Sequence, residues 1–273
     1  MSKRLEAIFS KPAKGKTRLI AYLMAGDPTP ETTLRRIKGL ADNGVDVLEL
    51  GVPFSDPIAD GPVIQSAGER ALRGGMTLSK TLEIVRGFRT SHETPVLLMS
   101  YLNPLLRYGW GKFVQDAVEA GVDGLILPDL PWKEGTNLRI ETKRLVGTRL
   151  SFIPIVAQTS QSEDLLVLSQ ESQGFVYVLS RNGITGGEAE ISSKVTEFIS
   201  GLNQHTHLPR CVGFGIQTTK QVHHLAEYCD GVIIGSAIVR QFFELDRKEL
   251  SGPELCKGEA GIFEWVAEFN SIK

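Results

Sequence analysis

Short apolar runs alternate with amphipathic stretches along the whole chain. The runs are rich in Val, Ile and Leu and mostly lack the apolar–polar alternation of a half-exposed strand. Strands that are buried on both faces of a parallel sheet have this composition. The pattern predicts eight strands, at residues 18–24, 45–50, 95–101, 124–127, 151–156, 175–179, 210–213 and 231–234.

The stretches between these runs repeat apolar residues at helical spacing. Several begin at residues that favour a helix N-terminus, such as Thr77 and Thr218, and some end at glycine, such as Gly121. They predict helices at residues 31–42, 78–90, 110–120, 133–145, 162–172, 192–202 and 218–228. Strands and helices that alternate in this way favour a single (β/α)8 TIM barrel over an open doubly wound sheet.

Two further helices are expected beside the regular pattern. The gap between the second and third strands has room for an extra helix at about residues 63–72, and a short helix is predicted after the eighth strand, through Phe243. The chain of 273 residues contains no linker or low-complexity segment. We therefore expect one domain over residues 1–273.

Composition and charge exclude several classes of function. Charged residues make up 23% of the chain and the formal net charge is -2, which gives no reason to expect nucleic acid or an anionic membrane as a partner. No apolar run is long enough to span a membrane, and the first residues do not resemble a signal peptide.

The cysteines and histidines show no metal-binding or disulfide pattern. The three cysteines are odd in number and lack CxxC spacing, so we expect reduced thiols and a cytoplasmic location. The five histidines fall in predicted helices or polar turns without a convincing ligand context, so no metal site is expected.

An acid pair around the second strand is the first candidate for chemistry. Glu49 lies inside an apolar strand and Asp60 follows in a loop rich in proline and glycine. An ionised carboxylate is costly to bury, so Glu49 is expected to reach a cavity, where two acids suit proton transfer. The alternative is structural: Asp60 caps the helix that begins at Pro62, and Glu49 pairs with a buried arginine.

Glycine-rich turns near the C-terminus form the second candidate site. Gly213-Phe214-Gly215 follows the seventh strand, and Gly235-Ser236 follows the eighth. In many barrels these two loops and a short extra helix bind phosphate through exposed backbone N–H groups. The turns are also compatible with simple strand ends, because glycine ends strands in many proteins.

The segment 180–188, after the sixth strand, contains three glycines and few apolar residues. This composition suggests a mobile lid over the site, although an ordinary surface turn would have a similar sequence.

These motifs together resemble the α subunit of tryptophan synthase over essentially the whole chain. The segment 49–65 is close to diagnostic of that family, whereas the glycine turns alone would fit many phosphate-binding barrels. The other matching segments are Ala25-Gly26-Asp27-Pro28, Asn103-Pro104, Pro128-Asp129-Leu130-Pro131, 177–181, 183–186, 213–216 and 235–239.

The resemblance implies a retro-aldol cleavage of indole-3-glycerol phosphate into indole and glyceraldehyde 3-phosphate, without a metal or cofactor in this chain. Glu49 is then the acid/base, and Asp60 is the carboxylate that engages the indole N–H. The implied phosphate site is Gly186, Gly215, Gly235 and Ser236. The implied indole pocket is Tyr22, Ile64, Tyr101, Leu127, Tyr177 and Ile233.

The resemblance also implies a partner. Pro53, Asp56 and Pro57 match the surface that meets a pyridoxal-phosphate β subunit in an α-β-β-α complex, and Thr185 matches the lid residue that hydrogen-bonds the loop aspartate. Two alternatives remain at this point: a free-standing indole-3-glycerol phosphate lyase and a non-catalytic regulatory subunit.

Overall fold

The computed structural model describes residues 1–10, 17–160, 165, 172–179, 192–213 and 215–269. Nine parallel strand segments form one sheet in these residues. They are β1 (Arg18–Met24), β2 (Val47–Gly51), β3 (Val96–Met99), β4 (Gly124–Ile126), β5 (Ser151–Phe152), β6 (Ile155–Val156), β7 (Val176–Leu179), β8 (Arg210–Gly213) and β9 (Gly231–Ile234).

The sheet closes on itself through the segment 151–156. Its first half, β5, pairs with β4, and its second half, β6, pairs with β7. Pro154 lies between the two halves and has no N–H to donate, so the predicted single strand is divided where it changes partner. The remaining order, β4-β3-β2-β1-β9-β8-β7, completes the ring, which confirms the (β/α)8 barrel.

Eleven helices accompany the sheet in the described residues. Both additional helices are confirmed: α3 (Pro62–Arg73) follows β2, and α10 (Ser236–Asp246) follows β9 but ends at Asp246 instead of Phe243. The predicted helix at 162–172 falls almost entirely outside the described residues. The helices are α1 (Lys3–Phe9), α2 (Pro30–Asp42), α3 (Pro62–Arg73), α4 (Leu78–Arg89), α5 (Leu102–Tyr108), α6 (Trp110–Ala120), α7 (Thr136–Val146), α8 (Ser193–Gly201), α9 (Thr219–Ala226), α10 (Ser236–Asp246) and α11 (Gly252–Glu268).

Three of these helices were not predicted. α1 and α5 have seven residues each, too few to show a clear helical period. α11 contains glycines that lower helix propensity. One of them, Gly258, lies so close to α10 that a Cβ there would be 2.4 Å from Leu245 Cδ1, so tertiary packing explains this glycine.

Alternate residues of each strand fill the barrel, and α1 closes its N-terminal end. Leu5 and Phe9 of α1 lie in the same buried cluster as Ile153, between β5 and β6, and the inward-facing strand residues Ile20, Val47, Leu97, Ile126, Tyr177, Cys211 and Ile233. The outward-facing residues pack against the helices, which is why both strand faces are apolar in sequence.

Buried ion pairs join helices on the outside of the barrel. Arg36 of α2 contacts Glu259 of α11 at 3.1 Å and Asp246 of α10 at 3.0 Å, and its guanidinium lies 4.4 Å from the Phe242 ring centroid. At the closed end, Asp123 accepts hydrogen bonds from Ser2 at 2.8 Å and from Arg89 at 2.6 Å. No described helix has the length and apolar character that a membrane crossing needs. The single domain over residues 1–273 stays a prediction.

The packing of α1 predicts that Leu5→Ala destabilises the fold. Leu5 is fully buried beneath the barrel, so the truncation leaves a cavity and should lower the free energy of unfolding by about 2–5 kcal/mol. Glu6→Ala, an exposed change on the same helix, is the control and should be near neutral. Equal urea midpoints for the two variants would contradict this role of α1.

Candidate active site

Glu49 lies inside the barrel, in β2, with Tyr22 of β1 and Leu97 of β3 on either side in register. Its side chain is 2% exposed, and neither carboxylate oxygen has a hydrogen-bond partner among the described residues. The alternative in which Glu49 pairs with a buried arginine is therefore not what the structure shows. Burial, and then the charge of Asp60, raise the pKa of Glu49 to about 8.

Glycines make room for two tyrosines beside this carboxylate. A Cβ at Gly51 would lie 2.1 Å from the Tyr22 hydroxyl, and a Cβ at Gly213 would lie 2.6 Å from the Tyr177 hydroxyl. Burial raises the pKa of both phenols well above the ordinary value, so both remain neutral hydrogen-bond donors. The inner wall of the barrel near Glu49 therefore carries both aromatic rings and hydroxyl groups.

Asp60 is held at the barrel mouth by Tyr101. The Tyr101 hydroxyl accepts a hydrogen bond from the Ala59 N–H at 2.9 Å and is close enough to the neighbouring Asp60 carboxylate to affect its pKa. The N-cap residue of α3 is Gly61, which makes no side-chain cap hydrogen bond, so Asp60 does not cap this helix. Burial raises the pKa of Asp60 to about 6, while the interaction with the Tyr101 hydroxyl acts in the opposite direction.

The two acids therefore have different charge states at neutral pH. Glu49 is protonated and Asp60 is mostly ionised, because their pKa values are about 8 and about 6. Pairs of acids whose environments separate their pKa values in this way can divide the roles of proton donor and charge stabiliser.

The glycine turns lie at the ends of the adjacent strands β8 and β9. Gly235, the N-cap of α10, directly follows β9 and has no side chain to cap the helix, so the first N–H groups of α10 lie at the C-terminal end of β9 without a cap from this residue. By contrast, the N-terminus of α9 is satisfied by its own capping box between Thr218 and Gln221. Gly215 is exposed and has φ +84, which favours glycine. An anion would be favoured at the N-terminus of α10.

The other predicted site residues are distributed over the mouth and its surroundings. Leu127 is buried at the end of β4, Ile64 is half-buried in the first turn of α3, and Ile233 lies deeper, among the residues that fill the barrel. Thr185 and Gly186 lie outside the described residues.

The three predicted partner-facing residues differ in exposure. Asp56 is exposed, Pro57 is half-buried and Pro53 is buried within the chain. Ile58, which was not predicted, is the most exposed large apolar residue of this loop, at 82%.

Sequence reasoning missed the polar role of Tyr101, which it placed only in the indole pocket wall. The ring also lies 5.3 Å from that of Phe54, so Tyr101 anchors both ends of the loop that carries Asp60. A tyrosine at the end of the strand next to an acid-bearing loop was the available signal. The contact between Tyr101 and the loop that carries Asp60 depends on that loop folding back over β3.

Comparisons with known proteins agree with this geometry. A family model described as tryptophan synthase alpha chain matches residues 9–259. The chain belongs to the tryptophan synthase alpha chain family. A curated tryptophan synthase alpha chain from Carboxydothermus hydrogenoformans is 42% identical over 239 residues, covering 88% of each chain.

Solved tryptophan synthase structures have the same fold. The alpha chain from Legionella pneumophila has a TM-score of 0.85 and 35% identity, with 100% of this chain and 98% of that chain covered. A Mycobacterium tuberculosis tryptophan synthase structure has a TM-score of 0.84 and 34% identity, with 99% of each chain covered.

Membership of the tryptophan synthase alpha chain family establishes the reaction. The chain is a lyase that cleaves indole-3-glycerol phosphate into indole and glyceraldehyde 3-phosphate. The family pairs with a β subunit and carries no cofactor of its own. Within the described residues, no group of three or more His, Cys, Asp or Glu could hold a metal ion.

The burial of Glu49 predicts that the variant Glu49→Gln is more stable than the wild type, by an amount that increases as pH rises. Unfolded Glu49 loses its proton near pH 4.5, whereas the folded protein retains it up to about pH 8. The folded state then binds more protons than the unfolded state. The free energy of unfolding of the wild-type protein therefore falls as pH rises through this window. The stability gain of Glu49→Gln should grow over this range to a few kcal/mol, as measured by urea unfolding.

Glu83→Gln, an exposed change on α4, is the matched control and should show no such growth. A gain from Glu49→Gln that stays constant from pH 5 to pH 9 would contradict the burial of an unpaired acid.

Proposed function

We propose that Glu49 and Asp60 divide the cleavage reaction between them. Glu49, protonated at neutral pH, donates a proton to C3 of the indole ring, and Asp60 stabilises the positive charge that develops on the ring nitrogen. The observation that supports this most directly is the buried carboxyl of Glu49, which has no hydrogen-bond partner among the described residues, beside a mostly ionised Asp60.

The bond changes balance without an outside reactant. Protonation of C3 gives an indolenine, in which the ring N–H carries positive charge. The bond between C3 and the adjacent glycerol carbon then breaks, and its electron pair returns to the ring and restores indole. The hydroxyl on that carbon loses its proton and becomes the aldehyde of glyceraldehyde 3-phosphate. The Glu49 carboxylate left by the first step is the base for this second proton.

The phosphate of the substrate binds at the N-terminus of α10. The N–H groups of Gly235 and Ser236 lie where the N-cap glycine has no side chain to cap them, and among the described residues a Cβ at Gly215 of the neighbouring turn would meet open space. In our proposal Gly186 also contacts the phosphate, and Thr185 is the lid residue that hydrogen-bonds Asp60. The indole ring then lies toward Tyr22, Tyr101, Leu127, Tyr177, Ile64 and Ile233, so the substrate extends from the acids to α10.

Pyridoxal phosphate belongs to the partner in this proposal. The retro-aldol steps need only proton transfers, so this chain does not need the electron sink that pyridoxal phosphate supplies. The chain would assemble with a β subunit as an α-β-β-α complex, through the loop that carries Asp56 and the exposed Ile58. The three unpaired cysteines support a cytoplasmic location.

The acid pair predicts a bell-shaped pH dependence of kcat/KM for indole release. The acidic limb near pH 6 reports ionisation of Asp60, and the alkaline limb near pH 8 reports loss of the Glu49 proton. Glu49→Gln should lower kcat about 10²–10⁴-fold, because an amide neither donates nor accepts this proton. Asp60→Asn should lower kcat more than affinity and remove the acidic limb.

Asp60→Asn has a second, more specific consequence. Because the charge of Asp60 is one cause of the raised Glu49 pKa, the alkaline limb should move to lower pH in this variant. A wild-type rate of indole release from either variant would contradict the assignment of that residue.

The partner surface predicts that the chain and a β subunit elute together in size-exclusion chromatography. Asp56→Lys should weaken this association about tenfold by reversing one exposed charge. Glu83→Lys on α4 is the control for a change in net charge. Separate elution of the wild-type proteins, with indole-releasing activity intact, would favour the free-standing lyase.

A further inference from the structure

Arg70 joins three elements at the mouth of the barrel. Its guanidinium donates two hydrogen bonds to the Asp27 carboxylate, from Nε at 2.8 Å and from Nη2 at 2.7 Å. The same group lies 4.2 Å from the centroid of the Phe243 ring. The contacts of Arg70 with Asp27 and Phe243 are called the Arg70 bridge below.

Each element of the bridge is attached to the site or to the rigid barrel. Arg70 lies in α3, which begins two residues after Asp60. Phe243 lies in α10, two turns after Ser236 at the proposed phosphate end. Asp27 follows β1 in a tight turn, in which Gly26 has φ +81 and donates its N–H to Thr33 Oγ1 at 3.0 Å.

The bridge therefore connects the two helices that set the ends of the substrate site. α3 carries the acid end, since it continues directly from the loop of Asp60, and α10 carries the phosphate end. Asp27 gives Arg70 an anchor in the loop after β1, so the helices are held to the barrel as well as to each other. The Ala25-Gly26-Asp27-Pro28 motif otherwise contributes no side chain to the proposed chemistry.

We propose that Arg70 is a positioning residue that fixes the separation between the Asp60 end and the α10 end of the site. This inference rests on the function proposed above. A substrate that reacts at one end and is held by its phosphate at the other needs both ends at one fixed distance. A displacement of about 1 Å can lower the rate of such a reaction about 10²-fold.

Arginine is suited to this role in a way that lysine is not. Its planar guanidinium makes two parallel hydrogen bonds to a carboxylate and presents a flat face to an aromatic ring at the same time. Lysine could keep the charge but neither the paired hydrogen bonds nor the stacking.

The experiment compares ligands that bind one end with a ligand that spans both. Indole tests the acid end, glyceraldehyde 3-phosphate tests the phosphate end, and indole-3-propanol phosphate, which cannot be cleaved, spans the site. In Arg70→Met the spanning ligand should bind about tenfold more weakly, while the two short ligands change less than about twofold. kcat/KM for the substrate should fall about 10–10²-fold.

Arg73→Met is the matched control on the same helix. Arg73 is 80% exposed and pairs only with Glu69, at 3.4 Å within α3, among the described residues. The same chemical change there should leave all three affinities and kcat/KM near wild type.

Two outcomes would overturn the inference. Wild-type constants for folded Arg70→Met would show that the bridge does not affect the site, and an equal loss for all three ligands would indicate general destabilisation. If Arg70→Met does not fold, Phe243→Leu decides, because it removes only the ring and keeps the ion pair. It should weaken the spanning ligand selectively, and wild-type constants would overturn the inference.

Failure of this inference can be separated from failure of the proposed function. Activity retained in Glu49→Gln and Asp60→Asn would contradict the proposed function whatever Arg70 does. Inactive acid variants together with unchanged ligand binding in Arg70→Met would contradict only the role of the bridge.

Discussion

The burial of one carboxyl group, Glu49, is the constraint on which the rest of the site depends. A group with no hydrogen-bond partner in the described interior is stable there only when it is protonated or when substrate reaches it. The barrel places it inside β2, between Tyr22 of β1 and Leu97 of β3, and nearby glycines make room for the rings of Tyr22 and Tyr177. The same burial raises the pKa of Glu49 to about 8 and so keeps its proton at neutral pH, which is the property that the proposed acid function needs.

The stability that compensates for the cost of burying Glu49 comes from other parts of the molecule. Apolar side chains and α1 fill and close the opposite end of the barrel, and ion pairs at Arg36 and Asp123 join elements away from the mouth. This separation is typical of barrels, in which the N-terminal face of the strands serves stability and the C-terminal face carries the chemistry.

The proposed catalytic groups reach the mouth by two routes. Glu49 is part of a strand, whereas Asp60 and the proposed phosphate-binding N–H groups belong to a loop and a helix terminus outside the sheet. Tyr101 holds Asp60 against β3, and Arg70 connects the helices that follow the acids and the phosphate end. Positions fixed by long-range contacts of this kind are sensitive to changes in residues that never touch the substrate.

The sequence by itself determined the alternation of strands and helices, the extra helix after β2 and the unusual acid in an apolar strand, because periodicity and residue type are local properties. It did not show the break at Pro154 where the barrel closes, the helix α11 with its internal glycines, or the absence of a partner for Glu49 within the described residues. It also left open whether Asp60 caps α3. Only the tertiary structure decided these points, since each depends on which residues from distant parts of the chain meet: Tyr177 with Pro154, Leu245 with Gly258, and Tyr101 with Asp60.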